Sequence, residues 1–185
     1  AMSLAEGQAM RSVGIMGAGS VGLYLGGCLQ VAGTSVVYVG RPGMMSLVQT
    51  YGLKLTDYLG RDQSVAVDDL NVATQVSALA DCDLVLVTVK SAATADVAIE
   101  LARHLKPGAL VISFQNGVRN ADVLRAAMPA QTVLAGMVPF NVVTLPKGHL
   151  HCGTEGQLCA QSNAALNALT PLFDLAGLPL QQHQN

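Results

Sequence analysis

An α/β fold, a Rossmann-type doubly wound and mostly parallel sheet with helices on both faces, follows from three observations on this chain of 185 residues. The first is the stretch from Ser12 to Gly33, SVGIMGAGSVGLYLGGCLQVAG. In it an apolar run (Val13, Ile15, Met16) leads into Gly17-Ala18-Gly19-Ser20-Val21-Gly22 and then into a segment of small and apolar residues. That order reads as strand, glycine turn, helix. The second is a pair of unbroken apolar runs, Asp83 to Val89 (DLVLVTV) and Ala109 to Phe114 (ALVISF). Such runs suit parallel strands covered on both faces. The third is composition: with 51% hydrophobic and only 12% charged residues, most of the chain is destined for an interior.

The glycine turn carries the first chemistry. In a unit of this type the first glycine allows the tight turn, the second lets the backbone approach a pyrophosphate, and the third lets the helix pack closely on its strand. Phosphates then rest on unpaired N–H groups at the helix start. Gly17, Ala18, Gly19, Ser20, Val21 and Gly22 are therefore candidate dinucleotide-binding residues. An ordinary glycine-rich turn is the competing reading, and the strand before and helix after favour the dinucleotide.

Bulk properties exclude several classes. The formal net charge is -2 and no basic block occurs, which argues against nucleic acid. No apolar run reaches the roughly 18 to 20 residues of a membrane span. Cys28, Cys82, Cys152 and Cys159 show no metal-ligand spacing and read as small buried hydrophobes in a reducing, cytoplasmic compartment, with no metal site. Residues 1–11 read as a short leader without the charged region and apolar core of a signal peptide.

Ser35 to Val39 (SVVYV), bounded by glycines, reads as the second parallel strand. Beyond it an NAD site usually places an acid for the ribose 2′-hydroxyl, whereas an Arg accommodates a 2′-phosphate. No acid occurs between Glu6 and Asp57, and Gly40-Arg41 follows the strand instead, which favours NADP(H) over NAD. A guanidinium forks onto phosphate oxygens, and a carboxylate would repel them. Pro42 suits the first turn of a short helix, Met44 to Thr50, ended by Gly52. Leu53 to Tyr58 and Ser64 to Val67 read as a hairpin-like pair or as edge strands, and Asp68 to Ala80 carries the chain back beneath the sheet.

After the Asp83 to Val89 strand comes Lys90, then a helix from Ser91 to Leu105 with Val97, Leu101 and Leu105 on its core stripe. Ligands in open parallel sheets bind at the carboxyl ends of strands, where Lys90 can reach a phosphate or a carboxylate. The Ala109 to Phe114 strand delivers Gln115-Asn116-Gly117 to the same rim, ahead of a helix from Asn120 to Met128. The Asn116 amide both donates and accepts, although Asn-Gly is also common turn chemistry.

Thr132 to Val143 reads as a strand interrupted by Gly136 and Pro139. His149-Leu150-His151 and Gly156 to Ala160 read as a short antiparallel addition, with both histidines on one solvated edge face. Asn163 to Ala176 reads as a last helix burying Leu166, Leu169, Leu172 and Phe173. The domain expected from these elements runs over 12–178, with 179–185 opening a linker.

Taken together, GAGSVG, Gly40-Arg41, TVK ending at Lys90 and FQNG around Asn116 resemble the amino-terminal domain of the ketopantoate reductase (2-dehydropantoate 2-reductase) family. GMVPFNVV, GHLHCGTEG and DLAGLPL resemble it too, so the likeness covers nearly the whole chain. The resemblance implies NADPH-dependent reduction of 2-dehydropantoate, a small-molecule 2-keto acid, to (R)-pantoate on the route to pantothenate and coenzyme A. It implies that Arg41 contacts the 2′-phosphate, that Lys90 contacts the cofactor, and that Asn116 touches nicotinamide ribose and substrate. Lys90 and Asn116 are thus the candidate catalytic residues, and the backbone of Val142 is a further cofactor contact. A homodimer is compatible with the resemblance.

Family members continue into a helical domain that supplies a lysine general acid. Here no lysine follows Lys147, no acid follows Asp174, and there is no Trp. The expectation is a truncated piece of a longer enzyme that is inactive alone. A related dehydrogenase of another 2-keto acid or an opine, and a non-catalytic NADP-sensing module, are the other readings.

Overall fold

Strand β1 (Ser12–Met16) feeds through the glycine turn into helix α1 (Ser20–Val31), and β2 (Ser35–Val39) returns parallel to β1. The structure is a computed structural model describing residues 12–117 and 119–184, so the expected leader lies outside the described residues. Helix α2 (Pro42–Tyr51) starts at the proline and ends at Gly52, one of the glycines with positive φ. Strands β3 (Leu53–Asp57) and β4 (Asp62–Val65) form the expected antiparallel pair. The chain then runs through β5 (Asn71–Ala73), β6 (Leu84–Val87), helix α3 (Thr94–His104), β7 (Leu110–Ser113) and helix α4 (Arg119–Ala127). Strands β8 (Thr132–Met137), β9 (Val142–Leu145), β10 (His149–Cys152) and β11 (Leu158–Gln161) follow. Helices α5 (Ala164–Asn167) and α6 (Thr170–Leu175) and strand β12 (Leu180–His183) complete the described chain.

Eight strands form one sheet in the order β12-β11-β8-β7-β6-β1-β2-β5, parallel throughout except between β8 and β11. Alternate side chains point to opposite faces of a strand, and both faces here are buried. Val13, Ile15, Tyr38, Leu84, Leu86 and Ile112 face α1. Met16, Val37, Val39, Val85, Val87 and Val111 face α3 and α4 through Ala98, Leu101, Ala121 and Leu124. This is the doubly wound arrangement predicted.

A second sheet, β4-β3-β10-β9, covers the outer side of α1. Sandwiched between two sheets, α1 is buried from Gly22 to Leu29, which accounts for its lack of a polar face. Its glycines keep the layers close: a Cβ at Gly26 would stand 2.6 Å from the Tyr38 ring, and one at Gly27 would stand 2.9 Å from Leu55. Cys28 lies in this layer, and burial pushes its thiol up to about 11 despite the opposing Arg61 charge. Cys82 and Cys152 are likewise buried and Cys159 half-buried, all four as free thiols.

Several expected elements differ. Thr132 to Val143 is two strands in two sheets: β8 runs on through Gly136, which packs against the Phe114 ring and pairs with Ala160, and the break comes at Pro139, which lacks the N–H needed to continue the ladder. His149–Cys152 and Leu158–Gln161 do not pair with each other; β10 lies between β3 and β9, whereas β11 joins β8 and β12. Asn163 to Ala176 is broken where Pro171 starts a new helix. The core stripe of α3 is centred on Thr94, Ala98 and Leu101, with Leu105 buried just beyond it and Val97 only half-buried. Leu180–His183 pairs in parallel with β11, so a strand occupies the expected start of the linker.

The histidine pair is also placed differently from the solvated edge expected, because β10 is an inner strand. Thr56 Oγ1 lies 2.7 Å from His149 Nε2 and 2.8 Å from His151 Nδ1. A hydroxyl has one hydrogen to donate, so one ring accepts from it and the other donates to it, as two neutral imidazoles can. His149 is held below the ordinary 6.5 by burial, then by the charges of Lys54 and His151, with Asp62 opposing. The unfolded chain therefore takes up this proton more readily, and stability is lost as the pH falls below about 6.5. Urea unfolding should show a midpoint that drops between about pH 7.5 and pH 5.5, with a smaller drop in His149→Gln. Identical drops in the two proteins would remove His149 as the cause. Among the described residues no group of three or more His, Cys, Asp or Glu is placed to hold a metal.

Candidate functional site

Four strands of the large sheet end level with one another. Met16 at the end of β1 pairs with Val39 of β2 and with Val87 of β6, and Val87 pairs with Ser113 of β7. The segments leaving these ends carry Arg41, the glycine turn, Lys90 and Asn116, in that order across the sheet. At 4.7–4.9 Å per strand the row spans about 14 Å. It is built at the carboxyl ends of parallel strands, where chains with α/β order reverse direction and open a crevice.

The turn itself is fixed by hydrogen bonds. The N–H groups of Gly17 and Ala18 both donate to the Val39 carbonyl at 2.9 Å, and Gly19 N–H donates to the Gly17 carbonyl at 2.8 Å. Those three amides are occupied. The first helical bond is from Leu23 N–H to the Gly19 carbonyl, so the N–H groups of Ser20, Val21 and Gly22 have no partner among the described residues. No acid occupies the first turn of α1. Three unpaired donors at the positive end of a helix dipole make a place for an anion.

Each glycine has a separate reason. Gly17 has φ 99° and lies against the backbone of Thr88 and Val89. Gly19 faces open space. A Cβ at Gly22 would stand 2.8 Å from the Gly17 carbonyl and from Ile15.

Arg41 is exposed at the amino-terminal cap of α2 and makes no side-chain hydrogen bond there. Gly40 before it packs on Ala18, since a Cβ at Gly40 would stand 3.2 Å from the Ala18 Cβ. The guanidinium therefore emerges beside the turn. Lys90 is exposed and opens a 3-10 turn (Ser91–Ala93), and Asn116 is exposed beyond β7. Neither side chain has a hydrogen-bond partner among the described residues. Val142, half-buried, begins β9 in the small sheet. That strand reaches the turn through a 2.6 Å hydrogen bond between Thr144 Oγ1 and Ser20 Oγ.

Other residues at this rim were not singled out by sequence. Thr88 Oγ1 donates to the Gly17 carbonyl at 2.7 Å and anchors the turn from β6. Gln115 and Asn120 are buried polar residues beneath Lys90 and Asn116. A signal existed for both: Gln115 directly precedes Asn116, and Asn120 falls on the inner side of an amphipathic helix, where an apolar residue is the norm.

The family model described as ketopantoate reductase PanE/ApbA matches residues 13–164. A 2-dehydropantoate 2-reductase of Halobacterium salinarum is 34% identical over 170 residues, covering 89% of this chain and 55% of that protein. One from Pyrococcus abyssi is 35% identical over 58% of this chain and 34% of its own length. Among solved structures, a PanE/ApbA family ketopantoate reductase from Ralstonia eutropha JMP134 superposes with a TM-score of 0.85 at 35% identity, over 94% of this chain and 57% of that one. The chain thus spans from a third to somewhat over half of the length of these relatives.

Proposed function

This chain belongs to the ketopantoate reductase family, and on that premise we propose that it is the cofactor-binding part of an enzyme that reduces 2-dehydropantoate to (R)-pantoate with NADPH. One observation carries the reading: the level row of strand ends bearing a guanidinium, three helix N–H groups without partners among the described residues, an ammonium and a carboxamide, with no carboxylate directly after β2. A dinucleotide lies across such a crevice with one half on each side of the first strand. The β2 side takes the adenosine half and the β6–β7 side takes the nicotinamide half.

The residues divide the work accordingly. Ser20, Val21 and Gly22 donate to pyrophosphate oxygens, and Arg41 grips the 2′-phosphate with charge-assisted bonds. Lys90 and Asn116 hold a ribose hydroxyl and the polar groups of the 2-keto acid, and the start of β9 at Val142 closes the side of the crevice. The bound cofactor supplies the hydride. Reduction also needs a proton for the developing alkoxide. In this reading the donor is a lysine outside these 185 residues, so the chain alone binds NADPH and turns over little. A reducing, cytoplasmic compartment suits its four free thiols.

Calorimetric titration of the chain with NADPH and NADH, beside a ketopantoate reduction assay, tests both parts. The expected result is tighter binding of NADPH with negligible turnover. Equal or tighter binding of NADH would overturn the cofactor assignment, and robust turnover would overturn the placing of the proton donor.

A further inference from the structure

We infer that Gln115, Thr94 and Asn120 form a buried relay that sets the positions of Lys90 and Asn116, which makes them positioning residues for the reduction. The inference rests on the nicotinamide-side assignment above. Ser113 Oγ donates to Gln115 Oε1 at 2.7 Å. Gln115 Nε2 donates to the Val89 carbonyl at 3.0 Å and to Thr94 Oγ1 at 2.8 Å. Thr94 Oγ1 donates onward to Asn120 Oδ1 at 2.9 Å. Asn120 Nδ2 closes the chain, donating to Ser91 Oγ at 3.0 Å and to the Asn116 carbonyl at 2.7 Å.

Every amide hydrogen of the two carboxamides is used, and each carboxamide oxygen and the threonine hydroxyl accept one bond. With all donors and acceptors paired, neither amide can flip without leaving a buried group unsatisfied. Thr94 is 2% exposed, Asn120 7% and Gln115 9%, so no water competes for these bonds at their centre. The two ends of the relay are the backbone carbonyls of Val89, which immediately precedes Lys90, and of Asn116 itself. The segments after β6 and β7 are thereby bolted together beneath two exposed side chains that have no hydrogen-bond partners among the described residues.

Location argues for more than packing. Among the described residues the buried polar side chains other than Thr34 are Thr94, Ser113, Gln115 and Asn120, all members of this network. Where only shape is needed, apolar residues of equal volume do as well as a buried polar network. A network placed under Lys90 and Asn116 holds their backbones to a geometry that apolar contacts would leave looser.

The test compares two ligands on the intact chain: NADPH, which spans the row, and adenosine 2′,5′-bisphosphate, which reaches only the Arg41 side. Thr94→Val keeps the shape and removes the hydroxyl. It should weaken NADPH about 10-fold, the scale of one or two buried hydrogen bonds, while bisphosphate affinity stays within about twofold. Thr94→Ser restores the hydroxyl and should restore NADPH affinity. Gln115→Met, which removes the central amide, should repeat the Thr94→Val pattern and serves if that variant folds poorly. Equal losses for both ligands, or no loss of either, would overturn the relay. Wild-type protein that binds NADPH no better than the bisphosphate would instead overturn the nicotinamide-side assignment, and the relay's role with it.

Discussion

Gly17→Ala should lower the stability of the chain by about 3 kcal/mol, whereas Gly19→Ala should leave stability unchanged and weaken NADPH binding about 10-fold. The two glycines sit two residues apart in one turn and do different things. Gly17 has φ 99°, a conformation costing an L-residue roughly 1–2 kcal/mol. Its Cβ would also stand 2.7 Å from the Val89 nitrogen and 3.0 Å from the Thr88 carbonyl carbon. Those are backbone atoms of the half-buried segment just past β6, not the far end of a flexible side chain, so overpacking adds another ~1–3 kcal/mol. Gly19 has φ -95° and ψ -153°, which alanine adopts freely, and its Cβ would meet nothing within 4 Å. The methyl would instead occupy the open side of the turn, where the backbone must approach a pyrophosphate. Urea unfolding and NADPH titration of both variants separate the effects. Wild-type affinity in Gly19→Ala would show that no phosphate sits over the turn.

That separation is legible in the sequence because each glycine answers to a local rule, and the same holds for the central strands. β6 and β7 lie in short, predominantly apolar runs, as strands buried on both faces do, and β1 is marked instead by the glycine turn that follows it. Their carboxyl ends, with that of β2, set out the segments from Arg41 to Asn116 to within two residues, β6 ending at Val87 where the run reads on to Val89. In the small sheet the β3–β4 hairpin follows the same local logic, but its joining to β10 does not: His149 pairs with Lys54 in a parallel register that no turn encodes. β12 reads as polar, LQQH, and is a strand only because β11 offers its edge. Thr94, Gln115 and Asn120 were missed for the reason the relay works. Each is an ordinary turn or helix-start residue by type, and only three-dimensional pairing shows that their polar atoms satisfy one another.

Arg41→Asp should weaken NADPH binding by a factor of about 100 without weakening NADH and without unfolding the chain. Loss of a guanidinium–phosphate contact removes roughly 1.5–3 kcal/mol, and a carboxylate facing the 2′-phosphate adds repulsion. NADH has a 2′-hydroxyl instead, and an acid after the second strand is the group that bonds it. Stability can be foreseen from the local backbone. Arg41 is the amino-terminal cap of α2, with φ -66° and ψ 148°, and provides no side-chain cap. Aspartate is among the preferred residues there, accepting from a free N–H of the first turn and favoured by the helix dipole. The variant should therefore melt at or above the wild-type temperature, which removes misfolding as an explanation for weaker binding. The Arg41 side chain is exposed and has no hydrogen-bond partner among the described residues, and the backbone carbonyl that accepts from Met45 N–H is kept in any variant, so loss of the guanidinium breaks nothing in the fold. If NADPH and NADH affinities fall together in a protein that melts normally, Arg41 does not read the 2′-position, and the NADP assignment fails.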